Sequence, residues 1–589
     1  MSVSMNKTER RFQGVAVSPG IARGKAWLHR SDEEAVPCYQ VPLDGIEDEL
    51  NRLENALNRT RNQIQELQQR ISQSVGDENA SIFDAHLLVV EDRSLIDEVI
   101  RTIKKDRFNA ETVFTNISAR YIKTLSQIDD PYLRERSVDI HDVCRRVVRN
   151  LSGGVNRDLA SDVGSGARIL IAHNLVPSDT AQLNPATVLG FATDVGSKTS
   201  HTAIMARSLN IPAVVALHDI SQQVETGESL LLDGYSGLIV VNPSAETLEA
   251  YAEIERQKGS VERALGTLRE TECKTVDGRH VILSANIEMP RDVAVVKQSG
   301  AEGVGLFRTE FLYLNSDELP SEEIQYEAYR SVVSQLAPAQ VIIRTLDLGG
   351  DKIMSSLNLP QELNPFLGWR AIRFCLERPE VFKQQIRAIL RSSAHGSVRM
   401  MYPMISGVEE VRRANALLAE CQQELRRERI GFDEKMQVGA MIEIPSAAVS
   451  ADLIAREVDF FSIGTNDLIQ YTIAVDRLNE RIAHLYEPTH PAVLRLIRMV
   501  VEAAHARGIW VGVCGEMAGE VTLTPLLLGL GVDELSTGAA LVPRVKAAVQ
   551  QLSIEECVKL AQVVSGLDSA TAIYSACDAV ARAHYPQLL

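Results

Sequence analysis

The chain of 589 residues has no run of eighteen apolar residues, which excludes a membrane-spanning helix on hydropathy grounds. The nearest approach, Leu523 to Val542, is interrupted by Asp533 and Glu534. Residues 1–13 are polar and charged, without an apolar segment of signal-peptide type. Cysteine is sparse: eight residues, at 38, 144, 273, 375, 421, 514, 557 and 577, with no CxxC and no Cys/His metal spacing. That excludes a zinc-finger or disulfide framework and predicts free thiols in a reducing, cytoplasmic setting. Positive charge is short too. The formal net charge is −17, from 61 Lys and Arg against 78 Asp and Glu. Such a balance argues against bulk binding to nucleic acid or anionic membranes.

At this length the chain is too large for one hydrophobic core, and three or four domains are expected. Residues 1–44 and 153–243 carry short strand-like runs around turns: Gly14 to Val17 before Ser18-Pro19-Gly20, then Gly24 to Leu28, Ala167 to Ala172, Val188 to Ala192 and Ser229 to Asp233. Between them, residues 45–152 hold little glycine or proline. Apolar residues there recur at helical spacing, as in Leu50, Leu53, Leu57 and then Ile64, Leu67, Ile71. Gly45 and Gly153-Gly154 bound this stretch. The pattern predicts a small α/β domain with a helical bundle inserted in it. Residues 244–273 are helical in pattern and densely charged, which suits a solvated linker helix or one more surface helix of the first domain. In residues 274–589, eight strand-like runs alternate with helical stretches, at 281–286, 303–307, 341–344, 398–402, 438–442, 460–463, 510–513 and 532–536. Eight such units predict a (β/α)8 barrel of the TIM type, with a doubly wound open sheet as the alternative. The expected fold class is α/β and multidomain.

His201 stands where the turn Gly196-Ser197-Lys198-Thr199-Ser200 meets an amphipathic helical pattern. A helix N-terminus presents unpaired N–H groups and a positive dipole end, so a phosphoryl group on that imidazole would be supported there. Taken alone, such a histidine more often caps a helix or packs in a core. In a barrel, active sites lie at the C-terminal ends of the strands. Those positions hold Arg308 and Glu310, Arg344 through Asp347 to Asp351-Lys352, Glu443, Asn466-Asp467 with Arg477 downstream, and Cys514-Gly515-Glu516. Three arginines predict a multiply anionic ligand, because a guanidinium fork grips phosphate or carboxylate at two points. Glu443 and Asp467 are oxygen ligands of the kind Mg2+ takes, few in number and completed by water and substrate. Each residue alone also has a structural reading as a cap or ion-pair partner, and Cys514 alone reads as an inert buried thiol.

Four stretches go further: Thr199 to Arg207, Gly303 to Leu312, Asn364 to Arg370 and Asp459 to Leu468. On these the chain resembles Enzyme I of the sugar phosphotransferase system, the phosphoenolpyruvate–protein phosphotransferases, along nearly its whole length. The resemblance implies a phosphohistidine α/β domain, an inserted helical subdomain that docks the phosphocarrier protein HPr, a linker helix, and a barrel that binds phosphoenolpyruvate and forms a homodimer. It implies that His201 is phosphorylated through Nε2 and that Thr180 hydrogen-bonds it. It further implies that Arg308, Arg344, Asn466 and Arg477 bind phosphoenolpyruvate with Asp467 close by, that Glu443 and Asp467 hold Mg2+, and that Cys514 protonates the enolate carbon. A thiol of ordinary pKa, about 8.5, suits that last step. The implied reaction is phosphorylation of His201 by phosphoenolpyruvate with release of pyruvate, then transfer to a histidine of HPr, the first step of the system. With His201 and the phosphoenolpyruvate site on different domains, a rigid-body swing about residues near 240–275 is expected. An ATP-dependent relative would need a nucleotide domain and a Gly-rich loop that the sequence does not offer. A barrel C–C lyase would leave His201 without a task, and a purely regulatory phosphoprotein would leave the barrel residues without one.

Overall fold

The computed structural model describes residues 8–29, 36–75, 82–126, 131–152, 168–175, 180, 183–184, 187–197, 201–209, 211–314, 319–348, 364–477, 479 and 481–589. The chain divides into two compact units, Met1–Glu255 and Arg256–Leu589.

The first unit is built on an eight-stranded mixed sheet. Its strands are β1 (Arg10–Gln13), β2 (Val15–Ser18), β3 (Ile21–His29), β4 (Arg168–Ala172), β5 (Val188–Thr193), β6 (Ala213–Val215), β7 (Ser229–Asp233) and β8 (Leu238–Val241). They lie in the order β1-β8-β7-β3-β4-β5-β6-β2. The centre, β3-β4-β5-β6, is parallel and the flanks are antiparallel. The central strands are near-continuous apolar runs because both faces are covered. One face packs Leu170, Phe191 and Val215 with Ala203 and Ala206 of helix His201–Ser208. The other packs Ile169, Ile171 and Val214 with Ile220 and Leu232.

Between β3 and β4 the chain forms five helices among the described residues: Ile46–Val75, Ile82–Val90, Arg93–Asp106, Ala110–Ser126 and Pro131–Leu151. The helical spacing noted in the sequence is the reason, since Leu53, Ile64 and Leu67 meet Val99, Ile103, Phe114 and Val147 in a separate core. Local signals set the ends. Asp92 accepts hydrogen bonds from the Ser94 and Leu95 N–H groups, and Arg107 closes that helix in the left-handed conformation. Strands β1, β6 and β8 were not anticipated: they run only four, three and four residues, and β1 is a polar edge strand, Arg-Arg-Phe-Gln. The Gly153-Gly154 boundary lies outside the described residues.

Helix Ala245–Thr267 includes the junction between the units. The second unit is a closed, all-parallel barrel of β9 (Ile282–Ile287), β10 (Gly303–Phe307), β11 (Gln340–Arg344), β12 (Val398–Tyr402), β13 (Gln437–Ile442), β14 (Phe460–Ile463), β15 (Trp510–Val513) and β16 (Glu534–Gly538). Each of the eight predicted runs is a strand, displaced by two residues at most, and closure through β16 and β9 rules out the open sheet. Leu306, Ile342, Met401, Met441, Phe460 and Cys514 fill the barrel interior beside Trp510. A larger core lies between the strands and the surrounding helices.

Candidate active site

Seven of the nine residues singled out in the sequence line one cavity of about 360 Å3 at the C-terminal end of the barrel: Arg308, Arg344, Glu443, Asn466, Asp467, Arg477 and Cys514. The strands put them there. Arg308 follows β10, Arg344 ends β11, Glu443 follows β13, Asn466 and Asp467 open helix Thr465–Ile473 after β14, and Cys514 follows β15. Glu310, Asp347 and Arg370 complete the charged lining, so four guanidiniums face four carboxylates.

Arg344 is the centre of this arrangement. Its Nη2 donates to Glu310 Oε1 at 3.0 Å, and its Nη1 lies 2.8 Å from Asp347 Oδ2. Asp347 Oδ1 in turn accepts from Arg370, from Nη2 at 2.7 Å and Nε at 3.2 Å. Arg370 Nη2 also lies 4.0 Å from Asp467. Burial opposes the charge on Arg344, but Glu310, Asp347 and Glu443 outweigh it and hold the guanidinium more firmly protonated than a free one. Arg370 is raised too, with Asp347 and Asp467 outweighing burial. The Arg344 Nε is buried without a hydrogen-bond partner. Nearer the solvent, Arg308 pairs with Glu288, and Arg477 Nη1 lies 3.2 Å from Glu516. Asn466 Nδ2 donates to the same Glu516 oxygen at 3.1 Å, and the Glu516 N–H returns a bond to Asn466 Oδ1 at 2.9 Å. Every predicted arginine is therefore held in place by a carboxylate.

Glu443 is 2 % exposed. Its Oε1 accepts from the Met404 N–H at 2.6 Å. Met404 takes a left-handed conformation, φ 56°, to aim that group, a strain of about 1 kcal/mol for a residue with a side chain. Gly464 leaves room on the other side, since a Cβ there would lie 2.7 Å from Glu443 Oε2. Burial pushes the Glu443 carboxyl up, and the nearby Asp467 and Asp347 add to it. Burial pushes Asp467 up as well, with Arg370 pulling the other way. Two buried carboxyls, both pushed up by burial, make a donor set whose charge a divalent cation would stabilise. Among the described residues no group of three or more ligating side chains is assembled. Two carboxylates, with water and substrate oxygens completing the shell, match the way Mg2+ is bound.

Cys514 differs from its sequence expectation. Its Sγ points at the Ile463 carbonyl, 3.7 Å away, and burial among Leu306, Met441 and Phe460 pushes the thiol up to about 11 rather than the ordinary value. A Cβ at Gly515 would lie 2.0 Å from Thr465 Oγ1, so only glycine lets this segment approach Thr465-Asn466 so closely.

The remaining two candidates belong to the first unit. His201 is the first residue of helix His201–Ser208, and the Thr202 hydroxyl anchors that start by donating to the Leu175 carbonyl at 2.7 Å. Gly196, at φ 133°, turns the chain ahead of it. Thr180 is fully buried. Pro177 to Asp179, Lys198 to Ser200, the surroundings of the His201 imidazole, and the Gly349 to Lys352 stretch lie outside the described residues. Sequence reasoning missed Arg370, and it quoted Glu310, Asp347 and Glu516 without giving them a task. For Arg370 the signal was present in the distinctive stretch Asn364 to Arg370.

Three family models match the chain: PEP-utilising enzyme, N-terminal, at residues 13–136; PEP-utilising enzyme, mobile domain, at 164–237; and PEP-utilising enzyme, PEP-binding domain, at 262–554. A phosphoenolpyruvate-protein phosphotransferase of Priestia megaterium is 45% identical over 544 residues, 92% of this chain and 94% of its own. Another, of Haemophilus influenzae, is 44% identical over 550 residues, 93% of this chain and 95% of its own. A solution structure of Enzyme I (nEIt) is 38% identical, covers 42% of this chain and 98% of that one, and has a TM-score of 0.36. Identity of this order along nearly the full length of both chains shows the family: the protein belongs to the phosphoenolpyruvate-protein phosphotransferases.

Proposed function

We propose that this chain catalyses the phosphoenolpyruvate-dependent phosphorylation of its own His201 and passes the phosphoryl group to a histidine of an HPr-type carrier. The observation that carries the reading is the buried Arg344, held between Glu310 and Asp347, in a cavity that also presents Arg308, Arg477 and Asn466. Those four side chains would grip the phosphate and carboxylate of phosphoenolpyruvate. Glu443 and Asp467 would hold Mg2+, which supplies charge neutralisation at the phosphoryl and enolate oxygens. The arithmetic supports this set. Four arginines and four carboxylates leave the ionised lining neutral, and a divalent cation would bring it to two positive charges, suited to a substrate that is itself multiply anionic.

In the reaction, the bridging P–O bond of phosphoenolpyruvate breaks as His201 Nε2 bonds to phosphorus, and the electron pair stays on the enol oxygen. The arginines stabilise that oxygen and the equatorial phosphoryl oxygens as charge shifts. The enolate carbon then takes the Cys514 proton, giving pyruvate, and the thiolate is reprotonated from water. A thiol held at about 11 is fully protonated at neutral pH and so always loaded for this step. Thr180 would orient the imidazole. The domain reading is 1–44 with 153–243 for the phosphohistidine domain, 45–152 for the carrier-docking bundle, 244–273 for the linker and 274–589 for the barrel. A homodimer through the barrel belongs to the same reading, as the family resemblance implies. No described helix is long and apolar enough to cross a membrane, in keeping with a cytoplasmic enzyme.

The test is incubation with phosphoenolpyruvate and Mg2+, without nucleotide, followed by mass spectrometry under non-acidic conditions and a pyruvate assay. One acid-labile phosphoryl group on His201, lost in His201→Ala and transferred to added HPr, is the expected result. Labelling that requires ATP would overturn the reading.

A further inference from the structure

Two segments supply most of the arginine clamp: residues 308–310, with Arg308 and Glu310, and residues 344–347, with Arg344 and Asp347. On the cavity side Glu310 joins them, since its Oε1 accepts from Arg344 Nη2 at 3.0 Å and from the Asp347 N–H at 3.1 Å. A second link lies on the opposite side, away from the ligand space. The Thr309 hydroxyl donates to the Arg344 carbonyl at 3.1 Å. Gln385, on the outer helix Pro379–Ser392, reaches both segments at once. Its Oε1 accepts from the Leu346 N–H at 2.8 Å, and its Nε2 donates to Thr309 Oγ1 at 3.1 Å. The same Nε2 lies 3.2 Å from the Tyr329 hydroxyl, which donates to Gln325, as does Tyr313. Thr309, Gln325 and Tyr329 are fully buried and Gln385 is 1 % exposed.

We infer that Gln385 is a positioning residue for the phosphoenolpyruvate site: through Thr309 and the Leu346 N–H it fixes the spacing of the two clamp segments from behind. The inference rests on the cavity being that site. The physical case is geometric. Leu346 lies between Arg344 and Asp347 in sequence, and Thr309 lies between Arg308 and Glu310, so one amide side chain holds a residue flanked by each pair. A helix interior normally excludes such a group, because a buried amide is costly unless fully bonded. Here its carbonyl and both described donor contacts point at the clamp and its backing tyrosine, and neither faces the ligand space. Glu310 and Asp347 tie the segments through charged contacts on the cavity side, whereas the Gln385 links are neutral and lie behind them. Arginine placement decides how well a phosphate is gripped, and a displacement of about 1 Å at such a site can cost up to 10²-fold.

The variants to compare are Thr309→Val, which keeps shape and removes the hydroxyl, Thr309→Ser, which restores it, and Gln385→Met, which removes both polar ends of the amide. Each is assayed as the full chain for phosphoenolpyruvate-dependent labelling of His201, with thermal melting alongside. The expected result for Thr309→Val and Gln385→Met is a KM for phosphoenolpyruvate raised about tenfold with kcat within about threefold, the signature of lost ground-state and transition-state grip alike. Thr309→Ser should return KM to the wild-type value. A lowered melting temperature with unchanged KM in the Val and Met variants would overturn the inference and leave a purely structural network. Arg344→Ala separates the two readings. If it leaves KM unchanged, the cavity is not the phosphoenolpyruvate site. If it raises KM while the Val and Met variants do not, only the role of Gln385 fails.

Discussion

The barrel buries a carboxyl near an arginine at both of its ends, and the two ends use them differently. At the C-terminal end, Glu443 has Asp467 and Asp347 as charged neighbours, sits within the field of Arg344, and lines an open cavity. At the N-terminal end, Glu534 begins β16, and its Oε1 accepts from the Ser284 hydroxyl at 2.5 Å and the Gln340 amide at 3.0 Å. Arg399 lies there too, its guanidinium 4.9 Å from the centre of the Trp510 ring. Burial pushes both carboxyls up, Glu534 to about 7. The difference is in what answers the burial. Neutral donors cap Glu534 and close the site, whereas Glu443 sits among carboxylates and guanidiniums that line an open cavity. Strongly perturbed carboxyls are therefore not equivalent markers of function, and the surrounding donors separate one that is capped and closed from one that lines a candidate ligand site.

The sharpest way to break this contrast is Arg344→Ala. It removes the central guanidinium and leaves Glu310 and Asp347 with less compensation, so kcat/KM for phosphoenolpyruvate should fall by about 10³-fold, read by pyruvate release. The melting temperature should drop as well, because a buried charge has lost its partner. Next comes Cys514. A thiol near 11 is ionised to well under 1% at pH 8.5, where a free one is half ionised, so alkylation of Cys514 at that pH should run about 10²-fold slower than that of an exposed cysteine. Its rate should rise only as pH approaches 11. An inflection near 8.5 would mean that the cavity hydrates the sulfur.

Glu443→Gln should weaken Mg2+ binding about tenfold or more, followed by calorimetric titration, and because it removes a carboxyl that burial disfavours it should not lower the melting temperature. The smallest effect on turnover belongs to Glu534→Gln, which should leave labelling of His201 intact and change only the pH dependence of stability. A folded-state pKa of about 7 exceeds the unfolded value, so the favourable protonation is complete below about 4.5 and is lost as pH rises through 7. Relative to wild type, the variant should gain roughly 3 kcal/mol between pH 4.5 and 7.5, seen as a widening gap in melting temperature. A constant gap would mean that Ser284, Gln340 and Arg399 hold Glu534 ionised throughout.

The barrel was legible because each strand is a short apolar run with turn chemistry on both sides, and because catalytic side chains follow strand ends in a fixed way. Arg308, Arg344, Glu443, Asn466 and Cys514 could be read from that rule alone. Arg370 could not, since it precedes helix Ala371–Glu377 rather than following a strand, and reaches Asp347 only through the path of its loop. The acidity of Cys514 was illegible for another reason: it depends on which apolar residues from β10, β13 and β14 converge on the sulfur, which no local window contains. Gln385 illustrates the same limit, being 39 residues from Leu346 and 76 from Thr309 along the chain. In the first unit, β1 escaped notice because a polar edge strand, Arg-Arg-Phe-Gln, shows no apolar run, and β6 because it spans only three residues.

The inserted bundle has a topological consequence. Strands β3 and β4 are parallel neighbours, with Lys25 to His29 opposite Arg168 to Ala172. A chain leaving β3 at His29 must therefore travel back down the sheet before β4 can begin, and residues 30–167 make that return. The bundle is thus the crossover connection itself, enlarged into a folding unit, rather than an ornament on a finished loop. Excising it by joining His29 directly to Arg168 would leave the ends four residue spacings apart, about 13 Å. A replacement linker needs at least about four extended residues to span that gap, and more to clear the sheet edge-on. With such a linker in place, the sheet could be studied without its bundle, and bundles from relatives could be exchanged as cassettes at the same two points.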